Sequence, residues 1–310
     1  MSGYFILNAI SLMISGFLFN INGYIPIFIS LTCTIISFLL STLFVEPLPY
    51  DTVLESTNRN YKKVSKHFFE NIRNDFRRSI KNFIISFKFI MKSGRLRCLL
   101  MFSSIMNSLV CIYAAYQVTI FNEFEISASI IGIIFAMLEI TAGISAKKQD
   151  KFHNRFRNKS LTVLSIGAVS SCIMIGAGHY VTDNLIIIVS IFIVALIIKY
   201  ATVGIYNVLI DKYYGNFTNE KIDSKIYSAK AFFDNISSVF LGIVAAYLLE
   251  TVSIPVAFLI LSVMFSALFG FVIFYSRNKL GLKPSEYSAH ELQYSDLSEY
   301  KSGKEKSEAS

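Results

Sequence analysis

Long runs of apolar side chains alternate with polar breaks over the first nine-tenths of the chain, all of them short except the stretch 46–97, and the length of those runs sets the architecture. A helix needs about 20 mostly apolar residues to cross about 30 Å of hydrocarbon. Eight stretches meet or approach that length: residues 4–19, 24–45, 98–121, 128–146, 161–178, 184–210, 226–249 and 253–275. A four-residue turn from Asn20 to Gly23 separates the first two. The pattern predicts an all-α integral membrane protein, a polytopic helix bundle with eight transmembrane helices.

The basic residues fall in alternate connections, which tests the count independently. Short cytoplasmic connections of membrane proteins carry the excess of Lys and Arg. Stretch 46–97 holds 12 of them, turn 147–159 holds 6, segment 212–230 holds 4 and the tail from Arg277 holds 6, which is 28 of the 29 in the chain. The other connections, around Asn20, at 122–127, at 179–183 and around Glu250, hold none. A missed or doubled helix would scramble this alternation. An even number of spans with both termini cytoplasmic follows, in the cytoplasmic (plasma) membrane.

Four regions result: two helices in 1–46, a basic loop in 47–96, six helices in 97–276 and a tail in 277–310. Within the loop, Ile80, Phe83, Ile84, Phe87 and Ile90 recur at helical spacing while Lys81, Lys88 and Lys92 lie elsewhere around the helix. That spacing predicts an amphipathic interfacial helix leading into the third span. The rest of the loop, 58–66 in particular, reads as a solvated basic linker. The tail is rich in Ser, Glu, Lys and Tyr without apolar periodicity, the composition of a disordered segment.

Composition agrees. Of 310 residues 54% are apolar and only 16% charged, against the quarter usual in soluble domains. The net charge of +8 would suggest nucleic acid in a soluble protein; here it sits in the connections and fixes topology, so the expected surroundings are a lipid bilayer and no nucleic acid. Cys33, Cys98, Cys111 and Cys172 lie singly in or beside apolar segments, and His67, His153, His179 and His290 fall in loops or tail without ligand spacing. Neither disulfides nor a metal is expected. The chain carries no hydrolase elbow, phosphate-binding loop or dinucleotide fingerprint, and its non-cytoplasmic loops are only a few residues long. No cofactor is expected, and an enzyme is the weaker reading.

Ionisable groups at bilayer depth are expensive and mark functional sites or partnered charges. Glu139 lies near the centre of the fourth span among Gly132, Ala136, Gly143 and Ala146, a small-residue face suited to close helix packing. Lys199 lies near the centre of the sixth span and shares a stripe with Thr202 and Tyr206. The two residues are candidates for a proton or charge relay, with Lys199 alternatively contacting an anionic substrate; the competing reading is a fixed ion pair between them. On the third span Tyr113 and Gln117 share a face that can line a polar cavity, and Asn107 sits roughly 80° around from Gln117, at the edge of that face. Interhelical hydrogen bonding is the alternative for all three, and for Asn107 the better one. Asn8, Ser11 and Ser15 form a weaker stripe that reads as packing. Asp234, one turn after Lys230, reads as its local ion-pair partner, and Asp211 and Lys212 read as interfacial anchors.

Several features taken together resemble the major facilitator superfamily. They are two spans leaving through Phe44-Val45-Glu46-Pro47, the long basic loop, and Arg95-Leu96-Arg97-Cys98-Leu99-Leu100 opening six further spans. The resemblance covers nearly the whole chain and places it on helices five to twelve of that twelve-helix fold, with the basic stretch as the central loop. Its spacing of helices and loops carries most of the likeness. Ala146-Lys147-Lys148-Gln149-Asp150, running on to Arg155 and Arg157, stands where the family has an acidic and basic gate motif, without the usual glycine. Asp223-Ser224-Lys225-Ile226-Tyr227-Ser228 stands where many relatives carry an Arg, with Lys225 in its place.

The resemblance implies Asp150, Arg155, Arg157 and Lys225 as cytoplasmic gate candidates, and a cavity flanked by the third, fourth and sixth spans. It further implies that the first four helices are missing, so that the chain reads as an N-terminally truncated product or a fragment whose partner is the missing helices of the same transporter. The expected function is a secondary transporter that moves a small solute by alternating access, with protons coupled through Glu139. The alternative is a membrane scaffold or an inactive truncated transporter.

Overall fold

A computed structural model describes residues 2–43, 84, 87, 90–91, 93–217 and 220–276. Helices account for almost all of them. We label these α1 (Ser2–Ile21), α2 (Tyr24–Leu43), α3 (Gly94–Glu123), α4 (Ala128–Lys147), α5 (Gln149–Phe156), α6 (Ser160–Val181), α7 (Leu185–Phe217), α8 (Glu220–Thr251) and α9 (Ile254–Ser276). All except the short α5 are long and apolar enough to cross a membrane, eight helices among the described residues. The chain is a multi-pass helical membrane protein.

Sequence and structure differ at the basic end of the bundle. The sixth apolar run stops near Ile210, yet α7 continues to Phe217, and α8 starts at Glu220, six residues ahead of its apolar run. The extensions persist because they still bury side chains: Tyr213 and Tyr214 of α7 are enclosed, and Tyr214 packs on Tyr227 of α8. Residues 147–159, read as a turn, instead contain α5 and a single 3₁₀ turn, Arg157–Lys159. Of the amphipathic helix expected near 80–92, residues 84, 87, 90 and 91 are described and are helical. Ile90 is buried and Phe87 stacks on Phe233 of α8, while Ile84 of the same face is exposed, so the end of this face nearest α3 lies on protein. The remaining loop from 44 and the tail from 277 lie outside the described residues.

Helix pairing follows small and polar residues, as it must where both water and driving hydrophobic contrast are absent. α1 and α4 run antiparallel and approach closely at Gly16 and Gly132. A Cβ on Gly16 would meet the Ala128 carbonyl oxygen at 2.7 Å, and one on Gly132 the Leu12 carbonyl oxygen at 2.9 Å. The same seam continues from Asn20, whose Nδ2 donates to Ser129 Oγ at 2.7 Å, to Gly143 against Phe5. On its other side α4 packs in parallel on α7, where a Cβ on Gly204 would run into the carbonyl of Ala142. α3 packs against α8, α6 against α9 and α7, and the core gathers around α3, whose Phe102, Tyr113 and Phe121 are fully buried. α2 touches only α1 to any extent, and none of its described side chains is buried.

Candidate functional site

Three polar groups interrupt the apolar bundle. The first lies at mid-helix, where α3, α4 and α7 converge. Lys199 of α7 is only 6% exposed, and its Nζ stands 3.9 Å from the Tyr200 ring centroid and 5.5 Å from that of Tyr113 on α3. Two aromatic faces attract a cation by about 1 to 2 kcal/mol each when desolvated, which offsets only part of the cost of removing an ammonium from water. Neither Lys199 nor Glu139 is in ion-pair contact with any described residue. Their charges still interact across the α4–α7 seam, and the Asn8 amide of α1 interacts with the half-buried Glu139 carboxylate.

The two expected cavity residues of α3 close around this lysine. Tyr113 offers its ring to Lys199 while its hydroxyl is hydrogen-bonded to Ser171 Oγ of α6 at 2.6 Å. Gln117 is 9% exposed; its Nε2 donates to the Tyr200 hydroxyl at 3.5 Å, and its Oε1 is buried with no donor. Tyr200 thus belongs to the group although periodicity did not single it out. Adjacency to Lys199 was the available signal, because a ring one residue along can fold beneath the ammonium.

The stripe read on the sixth span divides. Tyr206 also faces α3, with its hydroxyl donating to the Ser103 carbonyl at 3.4 Å. Thr202 turns to α6, where its Oγ1 fills the space that a Cβ on Gly167 would need. Asn107 points to α8 instead of the lysine, its Nδ2 donating to Ser238 Oγ at 3.0 Å.

That last contact belongs to the second group, a hydrogen-bonded network along the parallel α3–α8 seam. Asp234 Oδ1 accepts from Ser103 Oγ at 2.9 Å and from Ser104 Oγ at 3.0 Å, and Oδ2 accepts from Lys230 Nζ at 2.9 Å. Ser238 reaches Ser108 at 3.4 Å and donates to the Asp234 carbonyl at 2.7 Å. The local pair read from spacing is there, but the serines that complete the carboxylate's shell come from another helix. With both carboxylate oxygens occupied, the group fastens α8 to α3.

The third group sits at the basic end. Asp150 of α5 pairs with Lys212 of α7, Nζ to Oδ1 at 2.7 Å. Arg155 lies 5.9 Å from the Phe156 ring, and Arg157, with φ 44, turns the chain from α5 into α6. Asp150 is joined to neither arginine, and the side chain of Lys225 lies outside the described residues. Behind the ion pair His153 is buried, its Nδ1 hydrogen-bonded to Ser160 Oγ at 2.9 Å and its ring edge-on to Tyr213.

The described residues hold no cluster of three or more His, Cys, Asp or Glu that could bind a metal ion. No family model, curated protein or solved structure matches the chain.

Proposed function

We propose that the chain is a secondary active transporter of the major facilitator type, moving a small solute across the membrane by alternating access with protons coupled through Glu139. The observation that carries this reading is Lys199: an ammonium enclosed at mid-helix without a counter-ion in contact, facing Tyr113, Gln117 and Tyr200. A charge at bilayer depth costs several kcal/mol that packing does not return, so an enclosed ammonium with no counter-ion in contact points to a functional site. Glu139 on the adjoining helix gives the site a second ionisable group beside the same seam.

Alternating access needs surfaces that slide or rock. The α1–α4 seam, where Gly16 meets Gly132 backbone to backbone, supplies a smooth one. The fully bonded α3–α8 network supplies the opposite, a fixed unit.

Reconstitution of the full chain in proteoliposomes containing a pH-sensitive dye tests the reading. Addition of solutes in turn under an imposed pH gradient should produce solute-dependent proton flux with one class of them. Glu139→Gln should abolish the proton movement and leave solute exchange measurable. A chain that moves neither solute nor protons would be a membrane scaffold.

A further inference from the structure

Resting on the transporter reading, we infer that the Lys199 site takes a small carboxylate that also carries a hydrogen-bond donor, such as a hydroxy or amino acid. The unmet bonding capacity of the site defines the ligand. The Lys199 ammonium has three N–H donors, and no described residue accepts from them. Its neighbours present π faces, which attract the charge without satisfying its hydrogen bonds. The Tyr200 hydroxyl accepts from Gln117 and keeps its own proton to give. Beside it the Gln117 Oε1 is a buried acceptor with no donor.

Lysine and tyrosine donors with one amide acceptor next to them match a carboxylate bound to Lys199 and Tyr200, with a hydroxyl or amine on the neighbouring carbon donating to Gln117. An inorganic anion with no proton to give, such as nitrate, would leave Gln117 Oε1 unpaired, and a neutral solute would leave the ammonium uncompensated; each is a costly way to close a buried site. The ligand is small because the surroundings are closed. Tyr113 and the Phe258 ring packed against it at 5.8 Å are both buried, and Tyr113 is held in place by Ser171.

Binding to the purified full-length chain in detergent, without any gradient, separates this inference from transport. Lactate, alanine, acetate and nitrate are compared by thermal stabilisation and calorimetry, on the parent and on Lys199→Arg, Lys199→Gln and Gln117→Leu. Lactate or alanine should bind, and whichever binds better names the donor as hydroxyl or amine. Acetate should bind about tenfold more weakly, the value of one buried hydrogen bond. Lys199→Gln should abolish binding and Lys199→Arg should retain part of it. Gln117→Leu should erase the preference over acetate.

Nitrate binding as tightly as lactate, or binding unaffected in Lys199→Gln, overturns the assignment, as does the absence of binding by every carboxylate to a chain that elutes as a single folded species. Binding without flux in proteoliposomes overturns the transporter reading and leaves the site standing. Proton-coupled flux of an uncharged solute, with no carboxylate bound, does the reverse.

Discussion

Lys199 and Glu139 stand on adjoining helices, α7 and α4, close enough for their charges to interact and yet not in ion-pair contact. An enclosed cation held by two aromatic rings carries a desolvation cost that its surroundings do not repay. Lys199→Met therefore should raise the thermal stability of the chain in detergent, by about 1 to 3 kcal/mol, while removing activity. A structural ion pair demands the opposite sign. Unfolding followed by cysteine accessibility or by calorimetry gives the answer.

The same geometry sets how the two residues combine. Groups that do not touch usually have additive effects to within about 0.5 kcal/mol. Single and double variants, Glu139→Gln and Lys199→Met, should therefore depart from additivity by less than about 1 kcal/mol, as expected of charges that interact without touching. A coupling energy above about 1 kcal/mol, the range of residues in direct contact, would place the two side chains together.

The α1–α4 seam yields a prediction about backbone approach. Gly16 and Gly132 leave no space for a side chain, and the atoms that a Cβ would strike are backbone. Gly132→Val should part the helices at a cost of about 1 to 3 kcal/mol, and Gly204→Val should be worse because the Ala142 carbonyl lies directly in its way. The Asn20–Ser129 contact reports on this. Cysteines placed at both positions in a chain freed of its four native ones should cross-link readily, and Gly132→Val should suppress the cross-link.

Much of this architecture is written in the apolar runs. Eight spans, their alternating direction and the antiparallel or parallel sense of each pair follow from runs long enough to cross a bilayer and basic residues that refuse to. Charge inside an apolar run singled out Lys199 and Glu139, and helical spacing singled out Tyr113 and Gln117. Neither signal can say which helix a face meets, and there the reading thinned: Thr202 and Lys199 are three residues apart on α7, but one packs on α6 and the other on α3. Asp234 showed its partner on its own helix and hid Ser103 and Ser104, which belong to α3. Residues 147–159 are too polar for an apolar-run criterion to find α5, whose buried face is made by Gln149 and His153.

Asp234 tests whether the α3–α8 unit is fixed. Removing the carboxylate in Asp234→Leu strands Lys230 and the hydroxyls of Ser103 and Ser104, at about 3 to 5 kcal/mol. Lys230→Met should cost less, because both serines still bond Asp234 Oδ1. Equal losses from the two variants, measured by thermal unfolding of the purified chain, would reduce the network to its ion pair alone.

Gln149 gives the last prediction. Its side chain is 1% exposed at the start of α5, and neither Oε1 nor Nε2 has a hydrogen-bond partner. A buried amide with both ends unmet costs about 1 to 3 kcal/mol, whereas an apolar side chain of similar volume has nothing to satisfy. Gln149→Leu should therefore stabilise the chain, provided the amide serves only as filling between α5 and its neighbours. The neighbouring Asp150–Lys212 pair is exposed on both sides and contributes little to stability, so Lys212→Met should leave the melting temperature nearly unchanged. If Gln149→Leu instead lowers it, the amide makes bonds in the membrane-embedded chain, through water or lipid headgroups at the basic end. Comparing the melting temperature in detergent and in nanodiscs of anionic lipid separates these two cases, because only the second responds to the lipid.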